Sequence, residues 1–115
     1  MIYERFLPVI GRSRPALAPD TPGYGLSDPP AEPPEIADFA GAMGDLLDDL
    51  GHRAPIDLLG YHTGCKIAVA LARSQPDRVR RLVLFSAPVY SEAELEQMRA
   101  DHVPPEPVED GSHLL

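Results

Sequence analysis

The stretch IDLLGYHTGCKIAVALA, residues 56–72, constrains the fold of this chain more than any other. Its apolar start predicts a buried strand, and the alanine-rich run after Gly64 predicts a helix. Gly60 and Gly64 lie two residues to either side of His62, so little bulk surrounds a side chain raised at this junction. Histidine tolerates the strained backbone of such an apex better than a β-branched residue does. The stretch therefore predicts a tight strand-to-helix turn with His62 at its apex.

Strands and helices are predicted to alternate along the rest of the chain. IYERFLPVI indicates a short helix that Pro8 ends or kinks. A 3.6-residue apolar pattern predicts a long helix at about 34–50, stopped by Gly51, and SEAELEQMRADH begins with a capping box of Ser91 and Glu94. Strands are expected near 14–19, 55–60 and 80–86, and the long helix is expected to bury Ile36, Phe39, Met43, Leu46, Leu47 and Leu50. Such alternation is typical of an α/β fold with crossover connections and a parallel sheet.

Composition and charge indicate which kinds of binding partner and which cellular location to expect for this chain. The 115 residues suffice for one domain, and the net charge of −8 argues against nucleic acid and anionic membranes. No apolar run approaches the ~18 residues of a membrane span, and MIYERFLPVIGRSR lacks the apolar core of a signal peptide. The default expectation is a cytoplasmic protein. A single cysteine excludes an internal disulfide, and the bias toward Arg, Ala and Pro is typical of a GC-rich bacterial genome.

Three motifs occur in order: APDTPGYGLSD, LLGYHTGC and PDRVRRLVLFSAP. Together they resemble the α/β-hydrolase fold, in the branch of esterases, epoxide hydrolases and haloalkane dehalogenases. The resemblance implies a partial hydrolase domain over residues 1–102, a parallel sheet with flanking helices that lacks the N-terminal strands and the C-terminal part. It implies hydrolysis of small ester-like molecules without a cofactor. Residues 103–115 are rich in Pro and acid and are predicted to form a disordered tail.

The resemblance also suggests roles for individual residues. His62 stands at the apex of a nucleophile elbow, where the family carries its attacking residue, and Gly60 and Gly64 leave room for the turn. The backbone N–H of Thr63 points where an oxyanion would form. Asp20 matches a residue that ties down the loop after a strand, so its expected role is structural. The late histidine and acid that activate the family's nucleophile have no counterpart here, so little activity is expected from this chain.

Other candidate residues have a structural alternative beside the chemical one. Cys65 lies in the first turn of the predicted helix, where the dipole lowers a thiol pKa, but packing in a buried alanine-rich helix is the commoner role. The Thr63 hydroxyl is expected to serve a cap or turn. The pair Asp48 and Asp49 is expected on a solvated face. No metal site is predicted, because His62 lacks partners at ligand spacing.

The family's strand order has a consequence for stability. By resemblance, a strand absent from this chain would lie between RPALAPD and PIDLLG. The backbone N–H and C=O groups on the facing edges of these two strands would then lack hydrogen-bond partners. Such unpaired edges predict self-association through open sheet edges.

Two hypotheses follow for function. One is a hydrolase with an incomplete catalytic set. The other is a degenerate, non-catalytic fold that binds a ligand or partner, with His62 as a polar group in the pocket.

Overall fold

The computed structural model describes residues 3–101. The predicted tail at 103–115 lies outside the described residues. Residues 1, 2 and 102 of the domain predicted at 1–102 also lie outside them. In chain order, the elements are α1 (Leu7–Ile10), α2 (Ile36–Asp49), β1 (Ile56–Tyr61), α3 (Thr63–Ser74), a 3-10 turn (Pro76–Arg78), β2 (Val79–Phe85) and α4 (Glu92–Asp101).

Strands β1 and β2 form a parallel pair joined by α3. The register runs from Ile56 opposite Val79 to Tyr61 opposite Phe85, with one irregularity after Ile56. A parallel pair needs a crossover connection, and α3 supplies it. The predicted α/β fold with a parallel sheet and flanking helices is confirmed.

The core lies where α3 covers one face of this sheet and α2 packs on α3. Ala40, Ile67 and Leu71 form its buried centre, and Leu58 and Val79 pack against them from the strands. Because side chains alternate across a strand, Leu59 and Val83 point to the opposite face. Both are exposed, and no element among residues 3–101 covers that face. Helix α3, expected to be a buried alanine-rich helix, is buried only along the stripe that holds Cys65, Ile67, Ala68 and Leu71.

Helix α2 agrees with the predicted long helix except at its end. The Glu35 N–H donates to Asp38 Oδ2 at 2.8 Å at the start, and Gly51 adopts a φ of 67° at the stop. Leu47 is buried, whereas Leu50 is 59% exposed. The prediction that Leu50 belongs to the core is therefore wrong. Leu50 is the C-cap residue, past the last full helical turn, so its side chain no longer follows the apolar stripe.

The predicted strand at 14–19 is wrong, because this segment is irregular in the structure. Leu17 is 58% exposed. Pro15 and Pro19 have no backbone N–H that could donate a hydrogen bond to a neighbouring strand. Within residues 3–101 the sheet contains β1 and β2 alone, so the segment has no strand beside it. An apolar run becomes a strand only when a partner supplies the matching hydrogen bonds.

One further local prediction is corrected and two are confirmed. Pro8 neither ends nor kinks α1 but stands in its first turn, where its missing N–H is not needed. Asp48 and Asp49 are both exposed, as predicted, and Asp48 also forms ion pairs with Arg53 and Arg78. The capping box of α4 is confirmed: the Ser91 N–H and hydroxyl both donate to Glu94 Oε2, each at 2.8 Å.

Candidate functional site

The turn between β1 and α3 places His62 at a strained apex. Its φ is 49° and its ψ −119°, a conformation that L-residues rarely adopt. The His62 N–H donates to the Phe85 carbonyl at 3.3 Å, and the His62 carbonyl accepts from the Cys65 N–H at 2.9 Å. The apex is thus tied both to the end of β2 and to the first turn of α3. Its imidazole is exposed at the carboxyl edge of the sheet.

The two glycines of the turn are not equivalent. A Cβ on Gly60 would lie 2.6 Å from the Gly64 carbonyl oxygen and 2.7 Å from the Cys65 Cα. A Cβ on Gly64 would meet no atom of residues 3–101 within 4 Å. Only Gly60 is therefore required to be small by its surroundings in this structure, because β1 runs directly beneath the first turn of α3.

Ser86 joins His62 at the same edge, and sequence reasoning missed it. It follows β2 with a φ of 55°, and its Oγ lies 3.4 Å from His62 Nε2. The signal was present in the pattern: His62 lies just after one predicted strand and Ser86 at the end of the next, and the two strands were predicted to be parallel. Since parallel strands end at one edge, two residues that each follow a neighbouring strand come together there.

Aromatic side chains border the His62 imidazole. The Tyr61 ring meets it edge-on, with centroids 4.6 Å apart, and stacks on Phe85 at 5.6 Å. Burial raises the pKa of Tyr3, with smaller contributions in the same direction from Cys65 and Tyr61. The N-terminal segment therefore approaches this edge of the sheet.

Cys65 is buried at 2% exposure, and its Sγ donates to the Phe85 carbonyl at 3.3 Å. These contacts are those of a packed thiol. Cys65 also lines a cavity of about 340 Å³ between α3 and the segment after β2, whose other walls include Val69, Leu84 and Pro88. Lys66 and Arg73 of α3 also line this cavity.

The other predicted site residues lie on the supporting elements. Thr63 is the first residue of α3, so its N–H is one of the helix donors that lack an intrahelical acceptor. Asp20 accepts the Leu26 N–H on Oδ2 at 3.1 Å, and its carbonyl accepts the Ser27 hydroxyl at 2.8 Å. These bonds close the glycine-rich loop on itself. Asp20 thus acts on the loop and not on His62 in this geometry.

Residues 3–101 contain no cluster of three or more His, Cys, Asp or Glu side chains arranged to hold a metal ion. In the same part of the chain, no helix has the length and apolarity to span a membrane.

The fold and the edge described above define a class. A parallel strand pair joined by a helix, with a strained polar residue at the strand-to-helix turn, is the arrangement of an α/β protein whose site lies at the carboxyl ends of its strands. The family model described as alpha/beta hydrolase fold matches residues 3–106. The chain belongs to the alpha/beta hydrolase fold family.

Named relatives agree with this assignment. The chain is 41% identical over 87 residues to a 2-hydroxymuconate semialdehyde hydrolase of Pseudomonas sp. (strain CF600), covering 74% of this chain and 30% of the relative. It is 33% identical over 86 residues to a pimeloyl-(acyl-carrier protein) methyl ester esterase of Neisseria meningitidis serogroup A, covering 75% and 26%. An uncharacterized protein of Mycobacterium tuberculosis is 37% identical over 71 residues, covering 62% and 20%. The chain thus spans less than a third of the length of these relatives.

Proposed function

We propose that this chain supplies the reacting edge of a hydrolase that acts on small ester-like molecules, with His62 at the apex of its nucleophile elbow. The observation that carries the proposal is the backbone of His62, whose φ of 49° raises the imidazole at the junction of β1 and α3. Strain of this kind persists where surrounding contacts hold it and is frequent at functional sites. Relatives named as a hydrolase and an esterase support the same reaction class.

Ester hydrolysis at this edge needs a nucleophile, which supplies an electron pair. It also needs a hydrogen-bond donor that stabilises the negative charge developing on the carbonyl oxygen. The imidazole of His62 supplies the first. The N–H of Thr63, at the positive end of α3, supplies the second. Family members activate the apex residue through a separate histidine and acid, and residues 3–101 place neither beside His62. We therefore expect slow hydrolysis from this chain.

A binding function without catalysis is the second candidate. The cavity of about 340 Å³ beside α3 supports it, because its lining is mostly apolar and two cationic side chains, Lys66 and Arg73, also line it. His62, which the sequence had suggested as a polar group of such a pocket, does not line this cavity. Pockets of this kind hold small molecules through apolar contact and a few polar groups. A small molecule is the proposed partner in both cases, and the cytoplasm is the proposed location.

The test is hydrolysis of a nitrophenyl ester by the wild-type chain, His62→Ala and His62→Ser. The expected result is hydrolysis that saturates with substrate, at a rate no higher than that of free imidazole at the same concentration. It disappears in His62→Ala, and His62→Ser does not restore it, because a serine without a base is a weak nucleophile. His52→Ala, which removes an exposed histidine after α2, is the matched control.

Equal hydrolysis by the wild type and His62→Ala would exclude a catalytic role for the apex and favour the binding function. Turnover far above that of imidazole, lost in His62→Ala, would show instead that the catalytic set is more complete than proposed.

A further inference from the structure

We propose that Ser86 is the residue that accepts the acyl group and that His62 is its general base. This inference rests on the proposed ester hydrolysis and assigns the roles within that site. It moves the nucleophile from the apex of the turn to the end of the neighbouring strand.

The strand register brings the two side chains together. Tyr61 is paired with Phe85, so the next residue of each strand, His62 and Ser86, stands at the same level of the sheet. The Ser86 Oγ lies 3.4 Å from His62 Nε2. Nucleophile and base are often this loosely spaced before a substrate binds.

The backbone holds this pair in place. The His62 N–H donates to the Phe85 carbonyl at 3.3 Å, which fixes the apex to the residue directly before Ser86. The edge of the Tyr61 ring borders the imidazole with centroids 4.6 Å apart. His62 and Ser86 are the two non-glycine residues of positive φ among residues 3–101, at 49° and 55°. Adjacent strained residues at one strand edge are typical of a site that the surrounding structure stabilises for function.

Neighbouring nucleophiles fit the acyl-accepting role less well. Cys65 is 2% exposed and its thiol donates to the Phe85 carbonyl at 3.3 Å, so it is less accessible to an ester than the exposed Ser86. An acyl group on His62 would be labile and would remove the base of the site. Ser86 is exposed, and an acyl-serine is stable enough to hold the intermediate while His62 is free to activate water.

The reaction balances with these two groups and water. The Ser86 oxygen forms a bond to the ester carbonyl carbon as its proton passes to His62 Nε2. The bond from that carbon to the alkoxy oxygen breaks, and the alcohol leaves with the proton from His62. Water then attacks the acyl-Ser86 carbon and gives its proton to His62. The carboxylic acid leaves, and the serine oxygen takes the proton back.

The experiment locates the acyl group. The chain is treated with nitrophenyl acetate, quenched in acid, cut with trypsin and analysed by mass spectrometry. Cleavage after Arg53, Lys66 and Arg81 places His62 and Ser86 in different peptides. A fluorophosphonate probe, which forms a stable phosphonyl-serine as fluoride leaves, gives a second measurement that fast deacylation cannot hide.

The expected result is one acetyl or phosphonyl group on Ser86, absent from Ser86→Ala and Ser86→Gly. Labelling is expected to be about 100-fold slower in His62→Ala, the size of a general-base contribution. Glycine adopts a positive φ without strain, so Ser86→Gly tests the serine in a folded chain, as circular dichroism verifies. Ser13→Ala removes another exposed serine, whose hydroxyl donates to the Ile10 carbonyl at 3.3 Å, and is expected to label as the wild type does.

His62-dependent hydrolysis that is unchanged in Ser86→Gly, with no label on Ser86 in the wild type, would overturn the assignment of Ser86 while the proposed hydrolysis stands. Unchanged labelling of Ser86 in His62→Ala would overturn the role of the base. Absence of both labelling and of His62-dependent hydrolysis would overturn this inference together with the proposed function.

Discussion

Gly60 lies so close to Cys65 that a Cβ on the glycine would stand 2.7 Å from the Cys65 Cα. This approach of β1 to the first turn of α3 is what makes the turn at His62 tight. The atoms in the way belong to the backbone, so a side chain cannot rotate to relieve the contact. The close approach of β1 to α3 in this turn therefore depends on Gly60 more than on any other residue of the turn.

We expect Gly60→Ala to lower the free energy of unfolding by about 1–3 kcal/mol, the usual cost of overpacking. Gly64→Ala is the matched control in the same turn, because its Cβ would meet no described atom within 4 Å. Replacing glycine by alanine within a helix is expected to leave stability unchanged or raise it by up to about 1 kcal/mol. Urea unfolding followed by circular dichroism measures both, and equal loss in the two variants would contradict the asymmetry.

Relief of backbone strain at the apex is expected to stabilise the chain. His62 has a φ of 49° and a ψ of −119°, which costs about 1–3 kcal/mol in residues other than glycine. His62→Gly should therefore be more stable than His62→Ala by about 1 kcal/mol, after the greater entropy of glycine in the unfolded chain is subtracted. Urea midpoints of the two variants decide this, and a less stable His62→Gly would show that the apex carries no strain.

Stability is expected to fall in acid through Asp57, at the amino end of β1. Its carboxylate accepts from Arg80 Nε and Nη2, each at 2.8 Å. The Arg80 hydrogen bond, with the nearby charges of Arg80, Arg81 and Arg14, holds its pKa below the ordinary value of 3.8. A lowered pKa in the folded state stabilises the fold above pH 3.8, and that stabilisation is lost as the pH falls through the lowered pKa.

The measurement is the urea midpoint of wild type and Asp57→Asn from neutral pH into this acid range. Asp57→Asn should be less stable at neutral pH and should lose less on acidification. Asp49→Asn, at the exposed end of α2, is the control for loss of a negative charge. A wild type and an Asp57→Asn with parallel pH profiles would rule out this contribution.

Self-association is expected through the open edges of the sheet, and the exposed apolar side chains on the face opposite α3 favour it further. Val83 is 52% exposed and Phe85 64% exposed on that face, and exposed apolar strands favour pairing between chains. Size-exclusion chromatography should show concentration-dependent oligomers, and Val83→Lys should shift them toward monomer. Val89→Lys, at an exposed valine outside the sheet, should not. A monomeric wild type with a sharp melting transition above roughly 60 °C, the upper range for mesophile domains, would refute this prediction.

Local patterns predicted most of the described elements. Helix α2 was recognised from its apolar stripe, α4 from the pairing of Ser91 with Glu94, and the junction of β1 and α3 from its glycines. Each of these signals acts between residues close in sequence. The strand expected at 14–19 could not be judged in this way, since it needed a partner strand from elsewhere.

The sequence by itself determined that a strand would end just before His62, that a helix would follow, and that the fold would be of the α/β class. These properties depend on side-chain periodicity and on the backbone freedom of nearby glycines. Only the tertiary structure decided that Ser86 lies 3.4 Å from His62 Nε2 and that Gly60, not Gly64, is sterically required. Both results depend on the register of β1 against β2 and on the packing of α3 above β1. Residues far apart in sequence are brought together there by backbone pairing, which no local pattern encodes.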